Sequence, residues 1–175
     1  MLNPSDSSTE PATDPASRGE VRRSGSASEP SAEPLRIMAF SLDDEWYGLE
    51  IHHIRGIERD REITPVPQSP SWLAGVFNLH GLILPAIDPR PLLRGSAPGW
   101  SPDGVMIIFQ FDGHQAALLA DGADEIYELS TASLEPQLPT VEPRTARLIR
   151  GSVRVRDRLI GVVDLEAMVD LLLKG

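Results

Sequence analysis

Cysteine is absent from all 175 residues of the chain. Disulfides, thiol catalysis and metal sites with cysteine ligands are therefore excluded. Aromatic residues are scarce at 5%, and 16 basic residues stand against 26 acidic ones, for a net charge of −10. Nucleic-acid binding needs cations for the phosphates and rings for the bases, and an anionic membrane surface also selects cations. The composition therefore indicates neither a nucleic-acid partner nor direct membrane contact.

Long apolar segments are missing as well. No run approaches the roughly 20 apolar residues that span a bilayer, and the N-terminus lacks the basic and then apolar layout of a signal peptide. We therefore expect a cytoplasmic protein. Residues 1–34 are rich in Ser, Pro, Glu, Ala and Thr, with too few large apolar side chains to offset the entropy cost of ordering. We predict a disordered tail over 1–34, and a role for it as a tether or phosphorylation target stays open.

Patterns that carry chemistry are missing too. None of the four histidines has the spacing of metal ligands on one helix or strand; they are His52, His53, His80 and His114. There is no G-x-S-x-G nucleophile elbow and no glycine-rich nucleotide loop. The sequence therefore predicts no metal, no cofactor and no enzymatic activity. A cluster of His and Asp in a deep pocket would be the signature of the enzyme alternative.

Strand patterns are what the chain does contain, and they occur twice. RIMAFSL and WYGLEI flank an acidic turn, and VMIIFQF and HQAALLA flank Asp112-Gly113, a strong hairpin signal. Two glycine-led runs follow, from Gly75 to Asp88 and from Gly151 to Asp164, and in each the aspartate lies 13 positions after the glycine. A short helical pattern follows each aspartate, so both aspartates are interpreted as helix caps. The repetition predicts a duplicated all-β fold of two small barrels with a C-terminal helix.

Six arginines stand out from the acidic background between residues 144 and 158. If a single strand ran through Arg154, Arg156 and Arg158, their side chains would share one face. A solvated barrel face and a contact with an acidic partner are both compatible with this pattern.

The segments FSLDDEWYGLEI and ITPVPQSPSWLAGVFNLHGLILPAIDPRPLL resemble the CheW-like domain of bacterial chemotaxis proteins. The matching positions are Tyr47, Gly48, Thr64, Val66, Pro67, Pro70, Gly75, Asn78, Leu79, Gly81, Pro85 and Asp88. The second half also fits, through ALLADGADEIYEL and LIGVVDLEAMVDLLL. The resemblance covers about residues 36 to 173. It implies one domain over 35–175, built of two interleaved five-stranded β-barrels with a boundary near 95–104.

The function implied by the resemblance is that of a non-enzymatic adaptor without a cofactor. Such a protein couples the cytoplasmic tips of methyl-accepting chemoreceptors to the regulatory domain of a CheA-type histidine kinase, in arrays at the inner membrane. A CheW-like adaptor of another two-component pathway, for surface motility or gene regulation, is an alternative within the class. A small-barrel nucleic-acid binder is the alternative outside it, which the charge and the few aromatics disfavour.

Candidate binding residues follow from the resemblance by position. Ile51, Ile54 and Val105 are expected to contact the receptor in an apolar groove between the barrels. Gly75 and Gly81 match loops near the kinase contact. Core packing remains an alternative role for the two isoleucines, and backbone shape alone remains one for the two glycines.

Two positions depart from the family pattern in the same half. His80 stands where the family has arginine in N-L-R-G, and Gly56 stands where it has glutamate. Losing one charge would leave the other unpaired, whereas losing both is mutually consistent. Because an imidazole cannot replace the fixed fork of a guanidinium, the sequence predicts a retuned kinase-binding surface at Gly56 and His80. This surface either serves a dedicated kinase and receptor pair or has lost one contact.

Overall fold

The computed structural model describes residues 34–136 and 143–174 of the chain. The tail predicted over 1–34 lies outside the described residues, apart from the exposed Pro34. Over these described ranges, no helix is long and apolar enough to cross a membrane.

Strands dominate the described ranges. They are β1 (Leu35–Leu42), β2 (Glu45–Glu50), β3 (Ile54–Glu58), β4 (Leu73–Leu79), β5 (Leu82–Ile87), β6 (Val105–Phe111), β7 (His114–Ala120), β8 (Gly122–Leu129), β9 (Ile149–Val155) and β10 (Arg158–Val163). The helices are α1 (Arg90–Leu93), α2 (Pro143–Ala146) and α3 (Leu165–Lys174), with 3-10 turns at Ile51–His53 and Thr131–Ser133.

The strands form two five-stranded sheets, which we call lobe 1 and lobe 2. Lobe 1 has the order β8-β1-β2-β10-β9, and lobe 2 has the order β3-β6-β7-β5-β4. In lobe 2, Thr64 in the connector after β3 forms a β-bridge with Val76 in β4. In lobe 1, Glu135 in the connector after β8 forms a β-bridge with Ser152 in β9. These bridges curl each sheet toward closure, as in a small barrel. The predicted all-β fold with two five-stranded subdomains and a C-terminal helix is confirmed.

The two sequence repeats exchange strands between the lobes. The first repeat, β1–β5, places β1 and β2 in lobe 1 and the other three strands in lobe 2. The second repeat, β6–β10, places β6 and β7 in lobe 2 and the rest in lobe 1. Residues 95–104 therefore separate the repeats along the chain but not the lobes, because they connect two strands of lobe 2. The chain crosses between lobes at Ile51–His53 and at Asp121.

Three apolar clusters form the core, because the central strands are covered on both faces. In β1, Ile37 and Ala39 face a cluster confined to lobe 1, whereas Met38 and Phe40 face a cluster shared by both lobes. Strand β6 alternates in the same way between the shared cluster and one confined to lobe 2. Each fully buried large aliphatic side chain contributes roughly 1.5–3 kcal/mol.

Both predicted caps accept a backbone hydrogen bond at a helix start, but their surroundings differ. Asp164 Oδ1 accepts from Ala167 N at 2.9 Å at the start of α3, which confirms this cap. Asp88 Oδ1 accepts from Arg90 N at 3.1 Å, while Pro89 occupies the capping position itself. Asp88 is fully buried and also pairs with the Arg90 guanidinium at 3.1 Å.

The Arg90 side chain ties lobe 2 to the turns of lobe 1. It is 1% exposed and reaches Asp121 at 2.5 Å and Asp43 at 3.5 Å. Asp88 Oδ2 in turn accepts from the backbone N–H groups of Gly99 and Trp100. A buried guanidinium is tolerated only when carboxylates compensate it, so this cluster is a strong constraint on how the lobes meet.

Candidate functional site

Ile51 and Ile54 lie together where the chain crosses from lobe 1 to lobe 2. Both side chains are half-buried and pack against the cluster shared by the two lobes. The 3-10 turn that carries Ile51 lies against β1 and β6, one strand from each lobe. The expected apolar positions are therefore adjacent, each with part of its surface available to a partner.

A cleft of about 440 Å³ adjoins Ile51. It is lined by Pro34, Leu35, Arg36, Glu50, Ile51, His52, Thr131 and Arg150. Within it, Glu50 forms ion pairs with Arg150 and, at 3.5 Å, with His52. The lining of the cleft thus combines apolar side chains with the ion-paired Glu50 and Arg150.

His53 directly precedes Ile54 in the chain and is half-buried. Its ring lies 3.8 Å from that of His52 and 5.3 Å from that of Phe111, measured between centroids. Burial lowers the pKa of His53, and the neighbouring His52 lowers it further. Both effects favour the uncharged imidazole of His53. Among the residues that the structure describes, no group of three or more His, Asp or Glu side chains could hold a metal ion.

Val105 does not reach this surface. It is 0% exposed at the start of β6, inside the cluster shared by the lobes. Its expected contact with a receptor is therefore corrected to a core role in this conformation. The apolar pattern of β6 could not separate a groove position from a core position, because both faces of the strand are covered.

Gly75 is required by backbone geometry. A Cβ at this position would lie 2.3 Å from the Thr64 carbonyl oxygen, and its φ is +153°. Gly151, its counterpart in the second repeat, would bring a Cβ to 2.6 Å from the Glu135 carbonyl oxygen. Each glycine thus permits the bridge that curls its lobe, and Gly75 is buried and presents no side chain to a kinase.

His80 and Gly81 form the exposed turn between β4 and β5. Their φ angles of 50° and 91° are both positive, as in a type I′ hairpin, and Asn78 Oδ1 accepts from Gly81 N at 2.9 Å. A Cβ at Gly81 would meet nothing within 4 Å, so only its φ favours glycine there. The structure thus places two predicted kinase-binding positions at one accessible tip.

Leu82 and Ile83 continue this tip and were not identified from the sequence. Their side chains are 58% and 64% exposed, and they directly follow His80 and Gly81. We call residues 78–83 the apolar hairpin. The signal in the sequence is the run Leu82-Ile83-Leu84, where a strand with one solvated face would alternate apolar and polar residues.

The corresponding tip in lobe 1, residues 154–159, is charged; we call it the charged hairpin. Arg156 and Asp157 form its turn, so Arg154 and Arg158 lie on different strands and the predicted single arginine face does not exist. Arg156 pairs with Glu125 at 3.4 Å, and Arg158 pairs with Asp124. The Arg158 guanidinium also lies 3.9 Å over the Trp46 ring.

Strand register shows that the two hairpins occupy equivalent positions. Leu79 pairs with Leu82 next to one turn, and Val155 pairs with Arg158 next to the other. His80 therefore corresponds to Arg156, and Leu82 corresponds to Arg158.

The opposing strands β3 and β8 are equivalent as well. Ile54 and Ile57 pair with β6 around a bulge, and Ala123 and Ile126 pair with β1 around the same kind of bulge. Between these pairs, Arg55 corresponds to Asp124 and Gly56 corresponds to Glu125, although Gly56 itself pairs with Ile108.

The charge pair that the resemblance led us to expect, and that Gly56 and His80 lack, therefore has a counterpart within this chain. Glu125 and Arg156 form an ion pair in lobe 1 at the positions that Gly56 and His80 occupy in lobe 2. The second ion pair, of Asp124 with Arg158, corresponds to Arg55 and Leu82. Arg55 instead bonds Gln110 Oε1 at 2.9 Å and the His52 carbonyl at 3.0 Å. The charged hairpin is tethered to its lobe by two ion pairs, and the apolar hairpin has neither of them.

Similarity to known proteins covers both lobes. The model of one family, the CheW-like domain, matches residues 36–172. The chain is 26% identical to chemotaxis protein CheW of Helicobacter pylori over 152 residues, which cover 87% of this chain and 92% of that protein. It is 24% identical to chemotaxis protein CheW of Klebsiella aerogenes over 133 residues, which cover 76% and 80%. The crystal structure of the scaffolding protein TtCheW from Thermoanaerobacter tengcongensis superposes with a TM-score of 0.67 at 32% identity, over 75% of this chain and 85% of that one. The chain belongs to the CheW-like domain family.

Proposed function

We propose that the protein is a non-enzymatic adaptor that couples the cytoplasmic tips of chemoreceptors to a CheA-type histidine kinase. The observation that carries this proposal is the family match over residues 36–172, which includes every strand of both lobes. Relatives with this domain are named as chemotaxis proteins CheW, and a similar solved structure is named as a scaffolding protein. The protein acts in the cytoplasm, at receptor arrays beneath the inner membrane.

The receptor contact is assigned to the surface around Ile51 and Ile54. These side chains are half-buried, so they are held by the core and still present apolar area to a partner helix. Helix-in-groove recognition rests on a few such anchors, which carry most of the binding energy. His53 lies between Ile51 and Ile54 in the chain and adds an uncharged imidazole to this surface.

The kinase contact is assigned to the apolar hairpin together with Gly56, which lies on β3 at the other edge of the lobe 2 sheet. His80 and Gly81 form its turn and are exposed, and Leu82 and Ile83 add apolar area next to them. The binding partner there is the regulatory domain of the kinase. Ile54 and Gly56 lie on the same strand, so the receptor and kinase contacts adjoin along β3. Many copies in an array add modest affinities by multivalency.

Co-sedimentation tests the adaptor role directly. Membranes that contain the chemoreceptors of the same genome are mixed with its CheA-type kinase, with and without the full-length chain. We expect the kinase to sediment with the membranes only when the chain is present. Kinase that sediments equally without the chain, or that stays in solution with it, would contradict the proposal.

Ile54→Ala tests the receptor surface. We expect the chain's affinity for receptor-containing membranes to fall about tenfold, because an apolar anchor is truncated. Since Ile54 also packs against the core, the free energy of unfolding falls by roughly 2 kcal/mol, which urea unfolding measures. Ile57→Ala is the matched control, because Ile57 is 44% exposed on the same strand. The assignment fails if Ile54→Ala binds like the wild type or if both variants lose affinity equally.

A further inference from the structure

Arg55 is an exposed cation on β3 that hydrogen bonds hold in one orientation. Its Nε donates to Gln110 Oε1 at 2.9 Å, and its Nη1 donates to the His52 carbonyl oxygen at 3.0 Å. Both acceptors are neutral, and no carboxylate of the described residues forms an ion pair with Arg55. A guanidinium has five N–H donors, so the two on Nη2 are among those that remain for an external acceptor.

The carboxylates that flank Arg55 in the chain are already engaged. Glu50, at the end of β2, pairs with Arg150. Glu58, at the end of β3, pairs with Arg61 at 2.7 Å. The positive charge of Arg55 is therefore left uncompensated by the two strands that lead into and out of this surface.

The equivalent position in lobe 1 shows what a partner within the chain looks like. Asp124 corresponds to Arg55 there, and it pairs with Arg158. In lobe 2 the counterpart of Arg158 is Leu82, which has no charge. The fold thus has a place for an internal ion pair, which lobe 1 uses and which lobe 2 leaves to a partner molecule.

The Arg55 head group lies beside the proposed receptor surface. Arg55 directly follows Ile54, and its bond to the His52 carbonyl places the guanidinium next to the 3-10 turn that carries Ile51. A helix that binds over Ile51 and Ile54 therefore also removes water from the free N–H groups of Arg55. Burying an unpaired guanidinium is strongly unfavourable, whereas a carboxylate can satisfy it with two parallel hydrogen bonds.

We propose that Arg55 is a specificity-determining residue of the receptor contact, which binds a carboxylate on the helical tip of the receptor. This inference rests on the proposed receptor contact at Ile51 and Ile54 and adds its polar half. The matching receptor helix carries an Asp or Glu three or four positions from its apolar anchors, because that spacing places side chains on one face. A receptor with a neutral or basic residue there is rejected, since it leaves the guanidinium desolvated and unpaired.

Binding of the full-length chain to membranes that contain the receptors of the same genome tests this inference. We expect Arg55→Gln to weaken binding about tenfold, because it leaves the receptor carboxylate without its cation. Arg55→Lys should fall between this variant and the wild type, because it keeps the charge and loses the planar fork. Arg59→Gln is the matched control: Arg59 is exposed just after β3, and its loss changes the net charge equally without altering the affinity. Melting curves verify that each variant is folded.

Salt separates a charge interaction from a change of shape. The difference in affinity between the wild type and Arg55→Gln should shrink to about threefold or less as NaCl rises from about 0.1 M to about 0.5 M, because salt screens the ion pair. Affinity for the full-length CheA-type kinase in solution should be the same for both proteins. A role for Arg55 in folding alone would give a difference that does not depend on salt.

A charge-reversal cycle identifies the receptor residue. Each acidic residue of the receptor tip is changed to Lys in turn, and each variant is measured against the wild-type chain and against Arg55→Glu. We expect one position at which the lysine weakens binding to the wild type and restores binding to Arg55→Glu, as direct coupling requires.

The outcomes distinguish this inference from the proposed function. If the wild-type chain does not bind receptor-containing membranes, the proposed receptor contact itself is wrong. If it binds, but Arg55→Gln binds equally well or no acidic receptor position couples to Arg55, the inference alone is overturned. It is also overturned if Arg55→Gln loses kinase affinity to the same extent, or if Arg55 governs binding to receptor-free membranes of the same lipid composition, since the acceptor would then be the kinase or a lipid headgroup.

Discussion

The apolar hairpin of lobe 2 and the charged hairpin of lobe 1 have equivalent strand registers but opposite surface chemistry. Two ion pairs fasten the charged hairpin to β8, whereas the apolar hairpin lacks both and exposes Leu82 and Ile83. The glycines that curl the two sheets, Gly75 and Gly151, lie in equivalent close contacts. The comparison teaches that backbone constraints are shared by the two repeats, while the residues at the tips are free to specialise.

The largest expected difference between the repeats is in how much a substitution at the start of α1 or of α3 lowers the free energy of unfolding. Arg90 lies two residues after Asp88 and Glu166 lies two residues after Asp164, yet Arg90 is 1% exposed and Glu166 is on the surface. Arg90→Met leaves the fully buried Asp88 without its cation and should lower the free energy of unfolding by about 3–5 kcal/mol. Glu166→Gln should lower it by less than about 1 kcal/mol, through a weaker interaction with the helix dipole. Urea unfolding measures both, and equal effects would show that Arg90 does not hold the lobes together.

Alanine substitutions at Gly75 and Gly151 should also lower the free energy of unfolding by different amounts. Gly75→Ala should lower the free energy of unfolding by about 2–4 kcal/mol, because it adds a clash with Thr64 O to an unfavourable φ of +153°. Gly151→Ala should lower it by less, since its Cβ lies 2.6 Å from Glu135 O and its φ favours no particular residue. Thermal unfolding of both variants shows which of them is less stable. A stable Gly75→Ala protein that fails to bind kinase would support the predicted contact role of Gly75.

The smallest effect concerns the ion pair of the charged hairpin. The Arg158 side chain holds the pKa of the Asp124 carboxyl below its usual value, mainly through a hydrogen bond. Because the folded-state pKa is lowered, the pair stabilises the fold above the usual carboxyl pKa and loses this effect as the pH falls. Arg158→Gln should therefore raise the pKa of Asp124 toward its usual value, which carboxyl carbon NMR detects. An unchanged titration would mean that the charged hairpin is not tethered in solution, and the contrast with the apolar hairpin would disappear.

Local features were predictable from the sequence because their causes lie within a few residues. The turn at Asp112-Gly113, the cap at Asp164 and the buried face of α3 follow from φ preferences, a side-chain hydrogen bond and helical periodicity. The repeats were visible because their glycines and aspartates recur at the same spacing.

Features that depend on distant residues were not predictable in this way. The Arg90 cluster joins side chains 47 and 31 positions apart, and no local pattern specifies such partners. Val105 was assigned to a groove because an apolar residue in a strand does not reveal whether its face is covered. The arginine window was read as one possible strand face, although Arg156 adopts a φ of 53° and turns the chain there.

The exchange of strands between repeats also sets the order in which the protein can be completed during synthesis. Lobe 2 uses β3 to β7 and has all its strands once Ala120 has left the ribosome. Lobe 1 pairs β1 and β2 with β8 to β10, so its first strands must wait for the last ones. Domains fold as their segments emerge, and pairings between distant segments form slowly. The nascent chain is therefore expected to fold lobe 2 first and to keep β1 and β2 without the rest of their sheet until β10 has emerged.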